Sequence, residues 1–269
     1  MFLAIDIGNT NITCGLFEIT AKKISAAPLH TWRLETSASK TADEYGVVCL
    51  NILKELEFKQ TDITSIGMAS VVPTLTSTFC ELSKKYFKKN VFILSASTYK
   101  DLKTSYTYPD EAGADRIANA LAAFEEYKQA AIVIDFGTAT TFDCINAQGR
   151  YIGGVIAPGP RISAESLAKK TAQLPFAEIK KPQNIIGKST MECIESGLYY
   201  GYIGLVKEIL TALKSELHSP KIIATGGLAD TMAKELKSIT AIDPDITLKG
   251  ICIAYRQNHL RRVSKKRSI

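Results

Sequence analysis

Two carboxylates stand at matching places in two matching strings. Residues 3–10 read LAIDIGNT and residues 132–138 read IVIDFGT, so Asp6 and Asp135 each close an apolar run and are each followed two residues later by glycine. The two strings begin nearly half of the 269-residue chain apart. An apolar run closed by Asp-x-Gly predicts a buried strand that turns sharply at its end. A second β-rich run follows each at once, ITCGLFE after the first and TTFDCIN after the second, which makes each turn the tip of a hairpin. Glycine lets the backbone approach a phosphate closely. Asn9, Thr10 and Asn11, or Thr138, Thr140 and Thr141, offer hydrogen bonds, and each Asp can hold a cation or the cation's waters. One such turn is ordinary hairpin chemistry. Two of them, each opening its own half of the chain, predict a duplicated fold that grips a nucleoside triphosphate in a cleft between halves.

A third carboxylate lies in Gly113-Ala114-Asp115-Arg116. Phosphoryl transfer asks a protein for positioned phosphates, a divalent ion and a group that accepts the acceptor hydroxyl's proton. Asp115 is the candidate for the last role, with Arg116 beside it as an anion contact. The alternative role for Asp115, at the start of the helix predicted over DRIANALAAFEEYKQ, is to cap the amides that follow.

The elements that must position these groups read as alternating strands and helices. The opening hairpin is followed by a strand over 29–36, a helix over 42–57 with Val47, Leu50, Leu53 and Leu56 at helical spacing, and a strand over 65–72. A helix over 74–88 and a strand over 90–96 complete the order βββαβαβ. After the 115–129 helix, three strands restart the pattern before it turns again to helices. The boundary is expected near residue 116, giving 1–116 and 117–269 as two βββαβα-type halves, the first ending in the GADR turn. Residues 221–230, KIIATGGLAD, read as a strand whose Gly226-Gly227 exit would suit close passage over adenine. Two glycine-bearing strings are decoys. Gly187-Lys188-Ser189-Thr190 resembles the end of a Walker A motif, but position 182 is Pro and no buried strand precedes it. Gly149, Gly153, Gly154 and Gly159 lack dinucleotide-binding spacing.

Composition narrows the class further. Apolar residues make up 46% of the chain, enough for a sizeable core. No window reaches 18 uninterrupted apolar residues, and Asp6 interrupts the N-terminus too early for a signal peptide, so a cytoplasmic protein with no membrane partner is expected. The six cysteines fall singly in apolar segments and read as reduced core residues. His30, His218 and His259 offer no metal-ligand spacing. The net charge of +6 is matched by six basic residues between Arg256 and Arg267, a solvated tail without the aromatic interleaving of a nucleic-acid binder.

Taken together, DIGNTN at 6–11, GADR at 113–116, DFGTATT at 135–141, GGVIAPG at 153–159, IGKST at 186–190 and ATGG at 224–227 resemble, in order and spacing, the type III pantothenate kinases. These belong to the acetate kinase, sugar kinase, Hsp70 and actin superfamily, and the resemblance covers nearly the whole chain. It implies a duplicated ribonuclease H-like, actin-like ATPase fold, and phosphorylation of pantothenate by ATP with Mg2+ or another divalent cation, the first step of coenzyme A synthesis. By position it implies that Asp6, Ile7, Gly8, Asn9, Thr10, Asn11, Ile12 and Thr13 form the first ATP phosphate loop, with Thr138 as the other ATP contact. It further implies that Asp135 holds a monovalent cation, K+ or NH4+, and that Asp115 accepts the proton. Tyr106, Gly113, Ala114, Asp115, Arg116 and Thr190 would contact pantothenate. The family's members are homodimers. Tyr108-Pro109 departs from the usual Asn-Pro after the substrate tyrosine, and the basic tail lies outside the motifs. Two other readings remain open at this point: a transcriptional accessory factor of the same family, and a kinase of the same fold acting on another hydroxyl.

Overall fold

The computed structural model describes residues 1–19, 25, 27–99, 104–171 and 174–267, with side chains for all of these except 261–267. The chain begins with β1 (Phe2–Ile7), β2 (Asn11–Phe17), β3 (His30–Glu35), α1 (Ala42–Glu55), β4 (Ser65–Ser70), α2 (Pro73–Leu82) and β5 (Val91–Ile93). This is the βββαβαβ order expected. The strands form one sheet in the order β3-β2-β1-β4-β5, with β1 antiparallel to β2 and parallel to β4. Alternation along the strands decides which face meets which helix. Leu3, Ile5, Ile7, Ile12, Cys14 and Leu16 turn to the core they share with Tyr45, Cys49 and Leu53 of α1 and with Leu75, Phe79 and Leu82 of α2. Helix α1 starts at a capping box in which Thr41 accepts from the Glu44 N–H and Glu44 accepts from the Thr41 N–H. Helix α2 starts on Pro73, whose missing N–H costs nothing at a first turn. It ends at Leu82 rather than at 88: the chain continues as a π turn over 83–87 and stops at Lys88, which is left-handed at φ 56°.

There follow α3 (Ala114–Tyr127) and then the second series, β6 (Ala131–Phe136), β7 (Ala139–Ile145), β8 (Tyr151–Pro158), α4 (Pro160–Lys170) and α5 (Thr190–Glu216). The series closes with β9 (Lys221–Thr225), α6 (Ala229–Glu235) and β10 (Ala241–Ile242). Its sheet has the order β8-β7-β6-β9-β10, strand for strand the order of the first. The duplication inferred from the two Asp-x-Gly strings is therefore a duplication of topology, in two copies of a ribonuclease H-like sheet. Ile132, Ile134, Phe142 and Cys144 pack against Tyr202, Val206 and Leu210 of α5, which forms the floor of this second core.

The last helix, α7 (Ile246–Arg267), does not stay with the second sheet. By contacts the chain forms one compact unit from Met1–Glu126 with Asp245–Ile269 and another from Tyr127–Pro244, where the sequence led us to expect a boundary near 116 and the chain end in the second half. The reason lies in shape. Gly250 sits so close to the Ala118 backbone that a side chain there would overlap it, and Gly15 and Gly67 open the first sheet to Leu248 and Ile251. Thr247 Oγ1 donates to Asn119 Oδ1 at 2.8 Å, and Arg256 Nη2 donates to Glu125 Oε1 at 3.1 Å. Arg256 thus belongs to the packed body and not to a solvated tail. All six cysteines are free, but only Cys14, Cys49, Cys144 and Cys252 are core residues: Cys80 is half-buried and Cys193 is exposed, while burial pushes the Cys14 thiol up and the Cys49 thiol up to about 12. Among the described residues, no helix is long and apolar enough to cross a membrane.

Candidate active site

In the first unit, register fixes the first tip. Asp6 lies opposite Thr13 and Ile7 opposite Ile12. The buried pair Ile7 and Ile12 anchors the hairpin in the core, while Asn9, Thr10 and Asn11 are exposed beyond it and Asp6 and Thr13 are half-buried on the other face. The Gly8 N–H closes the turn on the Asn11 carbonyl at 3.0 Å, and a Cβ at position 8 would stand 3.2 Å from the same oxygen, so the turn has little room for a side chain. The carbonyls of the tip are held by the residue that follows β3: Thr36 Oγ1 donates to the Gly8 carbonyl at 2.7 Å, and the Thr36 N–H donates to the Thr10 carbonyl at 3.1 Å. Nothing in the pattern of the 29–36 strand distinguished Thr36 from its neighbours.

Asp115 lies in the first turn of α3 but does not cap it. The Ile117 N–H donates to the Gly113 carbonyl at 3.0 Å, which makes Gly113 the residue before the helix, and Asp115 Oδ1 accepts the adjacent Arg116 N–H at 2.8 Å. The carboxylate folds back over Gly113, where any side chain would collide with it. Burial raises its pKa above the ordinary Asp value, against the opposing pull of Arg116, its backbone hydrogen bond first and its charge next. A carboxylate raised by burial is a better proton acceptor than an exposed one. Arg116 is itself buried. Tyr106 is half-buried, with its N–H bound to Thr104 Oγ1 at 2.9 Å. Tyr108 is exposed, and Pro109 starts a single 3-10 turn.

In the second unit, Asp135 lies opposite Thr141 across β7 and opposite Thr225 across β9, so one carboxylate has a threonine on each side along the sheet. Thr138 is exposed at the tip. Two glycines wall this hairpin. Gly226, left-handed at φ +87°, passes so near that a Cβ would lie 2.5 Å from Asp135 Oδ1 and 2.7 Å from the Phe136 carbonyl carbon. Gly159, just before α4, abuts the Gly137 and Thr138 carbonyls. Thr140 turns to the core, where its hydroxyl shares a hydrogen bond of 2.6 Å with Tyr202. Thr190 is exposed at the first position of α5, after the N-cap Ser189. The chain from 174 to 189 has no strand, which removes the P-loop resemblance, and the Lys188 N–H is spent on Glu192 at 2.6 Å.

Among the described residues no group of three or more His, Cys, Asp or Glu forms a metal cage. A Mg2+ ion that keeps several waters asks for one or two carboxylates besides phosphate oxygens. Asp6 and Asp135, half-buried at the ends of their strands, are carboxylates of that kind.

The family model described as type III pantothenate kinase matches residues 2–212. The type III pantothenate kinase of Endomicrobium trichonymphae is 49% identical over 257 residues, 96% of this chain and 99% of its own. That of Citrifermentans bemidjiense is 42% identical over 259 residues, 96% of this chain and 100% of its own. A solved structure from Sinorhizobium meliloti described as a 2-dehydro-3-deoxygalactonokinase shares the fold alone, with a TM-score of 0.61 at 14% identity over 96% of both chains. On the full-length identity and the matched motifs, the chain belongs to the type III pantothenate kinase family.

Proposed function

We propose that this kinase works through three turns of its chain. The loop of Asp6, Ile7, Gly8, Asn9, Thr10, Asn11, Ile12 and Thr13 takes the ATP phosphates, and Thr138 makes the other ATP contact. Tyr106, Gly113, Ala114, Asp115, Arg116 and Thr190 take pantothenate. Asp115 accepts the proton of pantothenate's primary hydroxyl while that oxygen attacks the γ-phosphorus, the bond to the β,γ-bridging oxygen breaks, and ADP leaves. The observation that carries this reading is the Asp115 carboxylate, folded over Gly113 with its pKa raised by burial. Asp6 would hold the Mg2+ or other divalent ion that comes with ATP, which when bound would neutralise charge on the phosphates, and Asp135, in register with Thr141 and Thr225, would hold K+ or NH4+. We place the enzyme in the cytoplasm as a homodimer, without membrane or nucleic-acid partners. The second unit exposes Ile156, Ile162, Phe176, Ile185 and Ile186, apolar side chains that a partner subunit would cover.

The test is ATP consumption with pantothenate set against a panel of sugars. Turnover with pantothenate alone is the expected result. Turnover with a sugar and not with pantothenate, or none with either, overturns the assignment.

A further inference from the structure

The two units supply an internal comparison. Asn11, the first residue of β2, pairs with Glu35 of β3, and Ala139, the first residue of β7, pairs with Pro158 of β8. The next residues along the third strands, Thr36 and Gly159, are therefore topological equivalents. Both press on carbonyls of their own hairpin tip: Thr36 on those of Gly8 and Thr10 through two hydrogen bonds, Gly159 on those of Gly137 and Thr138 through bare backbone approach. A tip that is to receive phosphate must present N–H groups and turn its carbonyl oxygens aside, because those oxygens repel an anion. In the second unit a glycine does this by fit. In the first it is done by a hydroxyl and an amide of one residue.

We infer that Thr36 is a positioning residue for the first phosphate loop, holding the Gly8 and Thr10 carbonyls away from the ATP phosphates. The inference rests on the reading of residues 6–13 as that loop. Thr36 is itself held on both sides by Tyr45, a core residue of α1 that is 2% exposed. The Tyr45 hydroxyl lies 3.0 Å from the Glu35 carbonyl and 3.2 Å from the Ser37 carbonyl, and it accepts from the Ser37 N–H at 3.0 Å. The loop is thus tied through one threonine to the packed interior, and its carbonyl orientation is set before nucleotide arrives.

Thr36→Val keeps the shape and the backbone N–H and removes only the hydroxyl. It lowers kcat/KM for ATP about tenfold, roughly 1.4 kcal/mol, chiefly through KM, while KM for pantothenate stays at the wild-type value. Thr36→Ser restores the donor and recovers most of that loss, which a merely structural role for the methyl group would not produce. Tyr45→Phe loosens the same segment from its other side and shifts KM for ATP in the same direction by a smaller factor. Wild-type ATP kinetics in Thr36→Val, or equal loss in Thr36→Ser, overturns the role. Gly8→Val separates the two levels. If folded Gly8→Val protein uses ATP normally, the loop reading falls and the inference with it; if Gly8→Val is dead and Thr36→Val is normal, only the positioning role falls.

Discussion

Replacing Asp115 by Asn separates proton transfer from everything else the side chain does. Asn keeps the volume and an Oδ1 for the Arg116 N–H, and the helix start is untouched because Gly113, not Asp115, receives the Ile117 amide. What is lost is the proton acceptor, a contribution of roughly 10²–10⁴ in rate. A largely dissociative transfer leans less on its base, so the expected fall in kcat is near the low end, about 10²-fold or ~2.7 kcal/mol. Stability moves the other way. Because burial raises the folded pKa, the protonated form is the one the fold prefers. Its contribution to stability is fully present below the ordinary carboxylate range and is lost as pH rises through the folded pKa. Asp115→Asn removes a buried charge and so melts no lower than wild type at pH 8, with any gain fading toward pH 4. Steady-state kinetics, ATP titration calorimetry and melting curves at the two pH values read all three quantities. Near-normal kcat in a stable variant refutes the base, and a Tm that falls at pH 8 refutes the account of its raised pKa.

Gly226→Ala and Gly227→Ala form a matched pair. The first forces a left-handed residue and a Cβ against the Phe136 backbone and loses roughly 2 kcal/mol or more, several degrees of Tm, while the second meets nothing within 4 Å and melts as wild type; equal melting curves contradict the close approach to Asp135. Exchange of sodium for potassium or ammonium raises the wild-type rate, and Asp135→Ala removes that dependence; equal wild-type rates in the three salts refute a cation at Asp135. Lys188→Ala leaves kcat and KM for ATP unchanged, because no strand or phosphate-binding loop precedes it, and a large rise in KM for ATP would overturn the assignment of the phosphate loops.

What could be read from the sequence was local. The strings at 6 and 135 carry their own signals, apolar alternation and then a turn residue, and the hairpins form where those signals stand. The rejection of the Walker-like string rested on a missing strand, which is also a local fact. Contacts made across long separations were hidden. Helix α7 packs on strands laid down more than 170 residues earlier because Gly15 and Gly67 leave space for it and its own Gly250 lets it approach Ala118, and an isolated glycine in a strand or helix does not say what will fill the gap. The basic residues near the chain end disguised that helix as a tail, and Arg256 joins Glu125 only once α3 and α7 are side by side. Thr36 was hidden in the same way, since a threonine closing a strand acquires meaning only from the carbonyls that the fold brings to it.

The duplication also shows why two nearly identical strings need not do identical work. Along the two sheets Asp6 and Asp135 occupy the same station, each opposite a threonine on the second strand, Thr13 or Thr141. They differ on the fourth strand. Asp6 lies opposite Ala69, and Asp135 lies opposite Thr225, which is buried and followed by the left-handed Gly226. The second station places Asp135 in register with two threonines, Thr141 and Thr225, and brings the Gly226 backbone close to its carboxylate. The fourth strand thus sets a different neighbour beside each carboxylate, Ala69 for Asp6 and Thr225 for Asp135, a difference that neither string contains and that the potassium and ammonium rates in wild type and Asp135→Ala would read out.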